Sequence, residues 1–311
     1  MAERTFIHWL RQQLAHDTHL EVPVGDDAAV CQWPHGKLVV TTDMLLEESC
    51  FLLDAGPERI GKKAMSVNLS DMAAMAAKPR VAVISLGIPR DVSESWLQKL
   101  FQAMLRQAEA FETLIIGGDT NSWHGPLVIN VTLIGQVTSQ GPVTRTGAKP
   151  GDALLVTGPL GGSILGRHYD FTPRVNEALE LHKSVALHAM IDLSDGLSTD
   201  LHHICASSHC GAELWADRIP VHPAAQQMPD SRTPLEHALN DGEDFELLFA
   251  LQQKEADVLL AKQPLQEWGV TLYQIGRCTE DKAVVLTDGE KTIPLESSGY
   301  EHHFGEKSTE S

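Results

Sequence analysis

Five short acidic clusters stand out along the chain: GDD (25–27), TTD (41–43), NLSD (68–71), GGDT (117–120) and DLSD (192–195). Each aspartate has Gly, Ser, Thr or Asn nearby. Small neighbours let backbone amides and hydroxyls approach a phosphate or complete a metal shell, and carboxylate oxygens are the hard ligands that suit Mg²⁺. Carboxylates gathered without a cation would repel one another and take up protons. A single such cluster is explained as well by a turn or a helix cap. Five of them point to metal-bound phosphates.

Within NLSD, Asn68 and Asp71 are three residues apart on a predicted helix and share one face, which Ala64 and Met75 extend. Arg145, in RTGAKPGD, has the forked guanidinium that suits phosphate oxygens, or it forms a surface ion pair. Glu243, in NDGEDFEL, sits in a turn before a strand, where capping is the plain explanation. The Gly-rich stretch 158–166 lacks dinucleotide-site spacing and reads as a tight strand-to-helix turn or as a close approach to phosphate. Residues 56–63 come within one position of a P-loop, but Lys63 stands where Ser or Thr must hold Mg²⁺. His202, Cys205 and His209 share a helical face without an evident fourth zinc ligand.

These residues need a scaffold, and the hydrophobic periodicity supplies one. Helical spacing covers about 3–17, 57–77, 93–111, 174–189, 195–207 and 254–268. β-Branched runs predict strands over 37–45, 81–88, 113–118, 126–137 and 153–158, then at AMIDLS, FELLFAL, TLYQIGRC and AVVLTDG. Lys78-Pro79 is read as a helix stop. The alternation is that of an α/β protein with mixed sheets, of α+β type, in which Asp-bearing turns lie at strand ends. The turn-rich segment 144–152 divides it into two α/β domains, 1–146 and 147–305, with a short tail at 306–311.

The chain has 311 residues, 24 basic against 42 acidic, a formal charge of −18. No basic stripe exists to bind nucleic acid or an anionic membrane, and a nucleotide would need cations between itself and this surface. Five scattered cysteines without a C-x-x-C pair fit reduced thiols, and neither a signal-peptide core nor a membrane-spanning run is evident, so a cytoplasmic location is expected.

Taken in order, GDDAAV, TTDML, KKAMSVNLSDMAAMAAKP, IIGGDT, RTGAKPGD, IDLSDGLSTDL, GEDFEL and SGYEHHF resemble the thiamine-monophosphate kinase family over about residues 3–304. More distantly, the chain is similar to aminoimidazole ribonucleotide synthetase, selenophosphate synthetase and a hydrogenase-maturation ATPase. The resemblance implies a homodimer joined through its N-terminal mixed sheets, with ATP and several Mg²⁺ ions between the domains and thiamine monophosphate as acceptor. It implies a magnesium shell of Asp27, Thr41, Thr42, Asp43, Asp71, Asp119, Asp192 and Asp195. Gly118, Asp119, Arg145 and Ser194 would contact the nucleotide. Cys50, Glu243 and Tyr300 would lie at the acceptor end, Cys50 standing where some members carry His. No side chain is implied as covalent nucleophile or obligatory general base.

Overall fold

The computed structural model describes residues 20–22, 30–31 and 37–300. The predicted helix over 3–17, together with Asp27 and the residues after Tyr300, lies outside them. Two short strands, β1 (Leu20–Val22) and β2 (Val30–Cys31), pair antiparallel. The backbone then divides into two compact units, one of residues 1–143 with 169–184 and the other of 144–168 with 185–311. The first unit thus takes back a segment that the linear boundary near 146 assigns to the second.

The first unit holds a four-stranded mixed sheet in the order β3-β6-β4-β5, made of β3 (Leu38–Leu46), β4 (Ala77–Pro89), β5 (Leu114–Trp123) and β6 (Val128–Val137). Strands β3 and β4 flank β6 antiparallel, and β5 runs parallel to β4. Two helices, α1 (Pro57–Ala74) and α2 (Glu94–Ala110), pack together. Pro57 begins α1 where a missing amide costs nothing. Ser93 caps α2, its hydroxyl accepting from the Trp96 amide at 3.3 Å. Gly61 explains how closely the two helices approach, since a Cβ there would sit 2.3 Å from the Leu100 carbonyl oxygen. The near-P-loop at 56–63 is therefore a helix start and a helix–helix contact. Helix α3 (Val175–Ser184) packs on α1.

The second unit holds a seven-stranded sheet in the order β13-β12-β9-β11-β7-β10-β8. Its strands are β7 (Ala153–Val156), β8 (Leu187–Asp192), β9 (Gly211–Trp215), β10 (Leu247–Leu251), β11 (Tyr273–Thr279), β12 (Val284–Asp288) and β13 (Lys291–Pro294). Strands β7 and β10 are buried at every position, as expected of apolar runs near a sheet centre. Helices α4 (Leu197–Ser208), α5 (Pro234–Asn240) and α6 (Gln253–Lys262) complete the unit, and Leu193, Leu201, Ile204, Leu239 and Leu248 belong to its core.

The α/β expectation holds, and the differences are at element ends and in a few short elements. Helix α1 stops at Ala74, and Lys78-Pro79 lies inside β4, which opens at Ala77. Pro79 is tolerated because the β4–β6 register slips between Pro79 and Val81. Helix α3 ends at Ser184, so that β8 can begin at Leu187. Helix α6 ends at Lys262, capped by Gln263 in the left-handed region at φ 44°. Strands β9 and β13 and helix α5 are short and carry no periodic signal of their own.

Candidate active site

In the first unit the site begins on β3, whose side chains alternate between two faces. Thr41 and Asp43 are partly buried on the side toward α1, whereas Thr42 is exposed on the opposite face. The Thr41 hydroxyl donates to Asp71 Oδ2 on α1. The amide nitrogen of Asn130, on β6, donates to the Asp43 carbonyl and to Thr42 Oγ1, both at 3.1 Å. Thr42 also meets Thr132 Oγ1 at 2.9 Å, so its side chain belongs to the outward face and not to the Thr41–Asp71 group.

Gly118 and Asp119 lie on β5, at the other edge of this sheet. Asp119 pairs with Ser85 and Ser85 with Asn130, which sets Asp119 in the outward-facing row. Three strand spacings separate β3 from β5, roughly 14 Å, so the structure does not bring the Asp119 carboxylate to Asp43. Gly118 is where β5 presses closest on β4: a Cβ there would be 1.9 Å from the Ile84 carbonyl oxygen. Cys50 is half-buried just beyond β3, and its carbonyl accepts from Lys63 Nζ at 2.5 Å. That contact accounts for an ammonium group wholly inside the protein.

In the second unit, Asp192 ends β8, and Ser194 and Asp195 follow in the turn before α4. Two segments distant in sequence are hung on this turn by backbone hydrogen bonds. Glu243 N donates to Ser194 O at 2.8 Å, and Tyr300 N donates to Asp195 O at 3.0 Å. Glu243 and Phe245 both hold positive φ, at 61° and 51°, a conformation a non-glycine residue keeps only where its surroundings impose it. The imposing bonds are Phe245 N to Leu193 O and Leu193 N to Glu246 O, each 2.8 Å. The Glu243 carboxylate also meets His168 Nδ1 at 2.8 Å. Ser194, Asp195, Glu243 and Tyr300 are thus brought together by main-chain geometry.

Two residues here escaped the sequence reading. Asp200, buried on α4, accepts from the amides of Asp195 and Gly196, both at 3.1 Å, and so shapes the turn. Burial first, then the charges of Asp192 and Asp195, push its carboxyl up to about 8. His203 completes a group with Asp195 and Asp200 whose ligand atoms lie within 4.8 Å of one another. The signal was an Asp one turn into a helix, which reads equally as a helix-start charge. Among the described residues, His202, Cys205 and His209 form no comparable group, and His209 is the left-handed cap of α4.

The Gly-rich stretch is a turn. Gly161 N donates to both carboxylate oxygens of Asp244, at 3.1 and 2.9 Å, and Gly162 N donates to Asp241 Oδ2 at 2.8 Å. Amides already donating to carboxylates are not available to a phosphate. Arg167 also pairs with Asp244. Arg145 is exposed and makes no ion pair among the described residues, while its carbonyl accepts from Ser208 Oγ at 2.9 Å.

A magnesium ion fits the side chains present. Thr41, Asp43 and Asp71 offer only hard oxygen, and the mutual repulsion of Asp192, Asp195 and Asp200 is what a cation would relieve.

Residues 25–137 match the family model described as AIR synthase related protein, N-terminal domain, and residues 149–289 match its C-terminal counterpart. A thiamine-monophosphate kinase of Rhodopirellula baltica is 40% identical over 88% of this chain and 89% of that protein. The crystal structure of thiamine-monophosphate kinase from Stenotrophomonas maltophilia K279a superposes with a TM-score of 0.81 at 30% identity, covering 96% of this chain and 98% of that one. A ThiL structure complexed with AMPPCP and TMP gives 0.73 at 27% identity over 96% of each chain. With both domain models matched in order and 40% identity sustained over nearly the whole length, the chain belongs to the thiamine-monophosphate kinase family of AIR synthase related proteins.

Proposed function

We propose that this protein transfers the γ-phosphoryl group of ATP directly and in line onto the phosphate of thiamine monophosphate, giving thiamine diphosphate and ADP. The observation that carries the reading is the all-oxygen group on β3 and α1, where Thr41 meets Asp71 and Asp43 follows on the same strand face, in a chain of this family. Several Mg²⁺ ions, held by Thr41, Asp43, Asp71, Asp192 and Asp195, would neutralise phosphate charge and tie its oxygens to the protein. Asp27, Thr42 and Asp119 complete the proposed magnesium set. Arg145 grips a phosphate in its guanidinium fork, and Gly118, Asp119 and Ser194 receive the rest of the nucleotide. Cys50, Glu243 and Tyr300 face the acceptor.

The acceptor phosphate is already an anion at neutral pH, so no side chain has to remove a proton. The work of the residues is to bring two anions together in line. No protein nucleophile is required, and no phosphoenzyme forms. An ADP-release assay with thiamine monophosphate, thiamine and aminoimidazole precursors tests this: turnover should require thiamine monophosphate, and background rates with it would end the assignment. ATP–ADP exchange without acceptor would end the direct-transfer step.

The proposed state is a cytoplasmic homodimer. Leu38, Val40, Met44 and Leu46 are 47%, 62%, 60% and 42% exposed on the outward face of β3, an apolar row that supports pairing of two copies. Thr42 and Asp119 emerge on that same face, so pairing through it sets them at the junction of the copies. Among the described residues, no helix is long and apolar enough to cross a membrane.

A further inference from the structure

Asn68 is wholly buried in α1, and among the described residues neither its amide nitrogen nor its amide oxygen has a hydrogen-bond partner. A buried carboxamide unpaired at both ends is unfavourable, and a leucine of nearly the same shape would avoid the penalty. Packing therefore does not explain it.

Its place on the helix does. Thr41 meets Asp71, and the Cys50 carbonyl further along the chain meets Lys63, which is earlier on α1. The strand and helix thus run in opposite directions between two fixed contacts. Asp43 is two residues from Thr41 toward Cys50, roughly 6.6 Å along a strand. Asn68 is three residues from Asp71 toward Lys63, roughly 4.5 Å along a helix. Asn68 is therefore nearly level with Asp43 and shares a helix face with Asp71.

We propose that Asn68 is the positioning residue of Asp43: in the loaded site its amide nitrogen donates to one Asp43 carboxylate oxygen and holds the other toward Mg²⁺. This rests on the kinase reading above. Groups that orient a metal ligand in this way typically set affinity by about 10–100-fold without touching the metal.

The test uses Asn68→Leu and Asn68→Ala in the full-length protein. Thermal unfolding is followed without ligand, then with the non-hydrolysable ATP analogue AMPPCP over a Mg²⁺ titration. The expected result is a ligand-free melting point equal to or above wild type, with the Mg²⁺ concentration for half-maximal stabilisation raised about tenfold or more. Half-saturation within threefold of wild type in either folded variant overturns the role of Asn68 alone. Failure of both variants to unfold cooperatively makes Asn68 a structural residue and also overturns it. A wild-type protein that shows no Mg²⁺-dependent response removes the kinase reading and this inference with it.

Discussion

The Thr41 hydroxyl donates to the Asp71 carboxylate across 30 residues of sequence, joining β3 to α1 at the point where two of the acidic clusters meet. A hydroxyl held this way fixes the orientation of the Asp71 carboxylate. Asp71→Asn keeps the shape and the acceptor oxygen but removes the charge. It should lower kcat by on the order of 100-fold or more while moving the melting point by only a few degrees. Thr41→Val should have a smaller effect of the same kind. Steady-state kinetics beside calorimetry checks both, and unchanged turnover in Asp71→Asn would refute its metal role.

Arg145 presents an exposed guanidinium with no ion pair to hold it among the described residues. Its replacement should therefore cost little stability. Arg145→Ala should raise KM for ATP by about tenfold, the loss of one charge-assisted contact, and Arg145→Lys should recover only part of it, since an ammonium cannot fork. Equal KM values for all three proteins would return Arg145 to the role of a solvated surface charge.

The outward face of β3 yields a prediction about assembly. Val40→Glu places a charge in the middle of the exposed apolar row, where it is solvated in a monomer and buried in a dimer. Sedimentation should show wild type at twice the chain mass and Val40→Glu at the chain mass. A monomeric wild type would remove the face as a dimer interface.

Asp244 supplies a pH dependence. Burial pushes its carboxyl up to about 7 against the pull of Arg167 and the Gly161 amide, with Glu246 adding to the rise. A folded-state value above the unfolded one means that the native protein binds the extra proton between about pH 4 and about pH 7. Stability from this group is therefore greatest at the acid end and declines as pH rises through that window. Asp244→Asn, neutral at every pH, should flatten this decline, so that its stability gains on wild type as pH rises through the window. Melting points across the window check it; parallel curves for the two proteins would contradict it.

Much of the architecture was legible because apolar periodicity survives folding. The runs that became β6, β7 and β10 are long or continuously apolar, and the start of α1 is written in Pro57. Element ends were less legible. Lys78-Pro79 reads as a helix stop in any local window, and only the slipped β4–β6 register makes room for proline inside a strand. Asp200 was missed because an acidic residue near a helix start has an ordinary local explanation. Its service to the Asp195 and Gly196 amides depends on the turn that precedes the helix.

The sequence by itself determined the chemistry on offer: five acidic clusters, an overall charge that calls for cations around a nucleotide, and the order of motifs that marks the family. Tertiary structure decided which of those groups meet. Alternation along β3 turns Thr41 and Asp43 inward and Thr42 outward, and sheet order carries Asp119 to the far edge. Backbone bonds bring Glu243 and Tyr300 to Ser194 and Asp195 from far along the chain. The physical reason is that residue type sets what a side chain can bind. Strand pairing and turn geometry, which depend on contacts distant in sequence, set what it can reach.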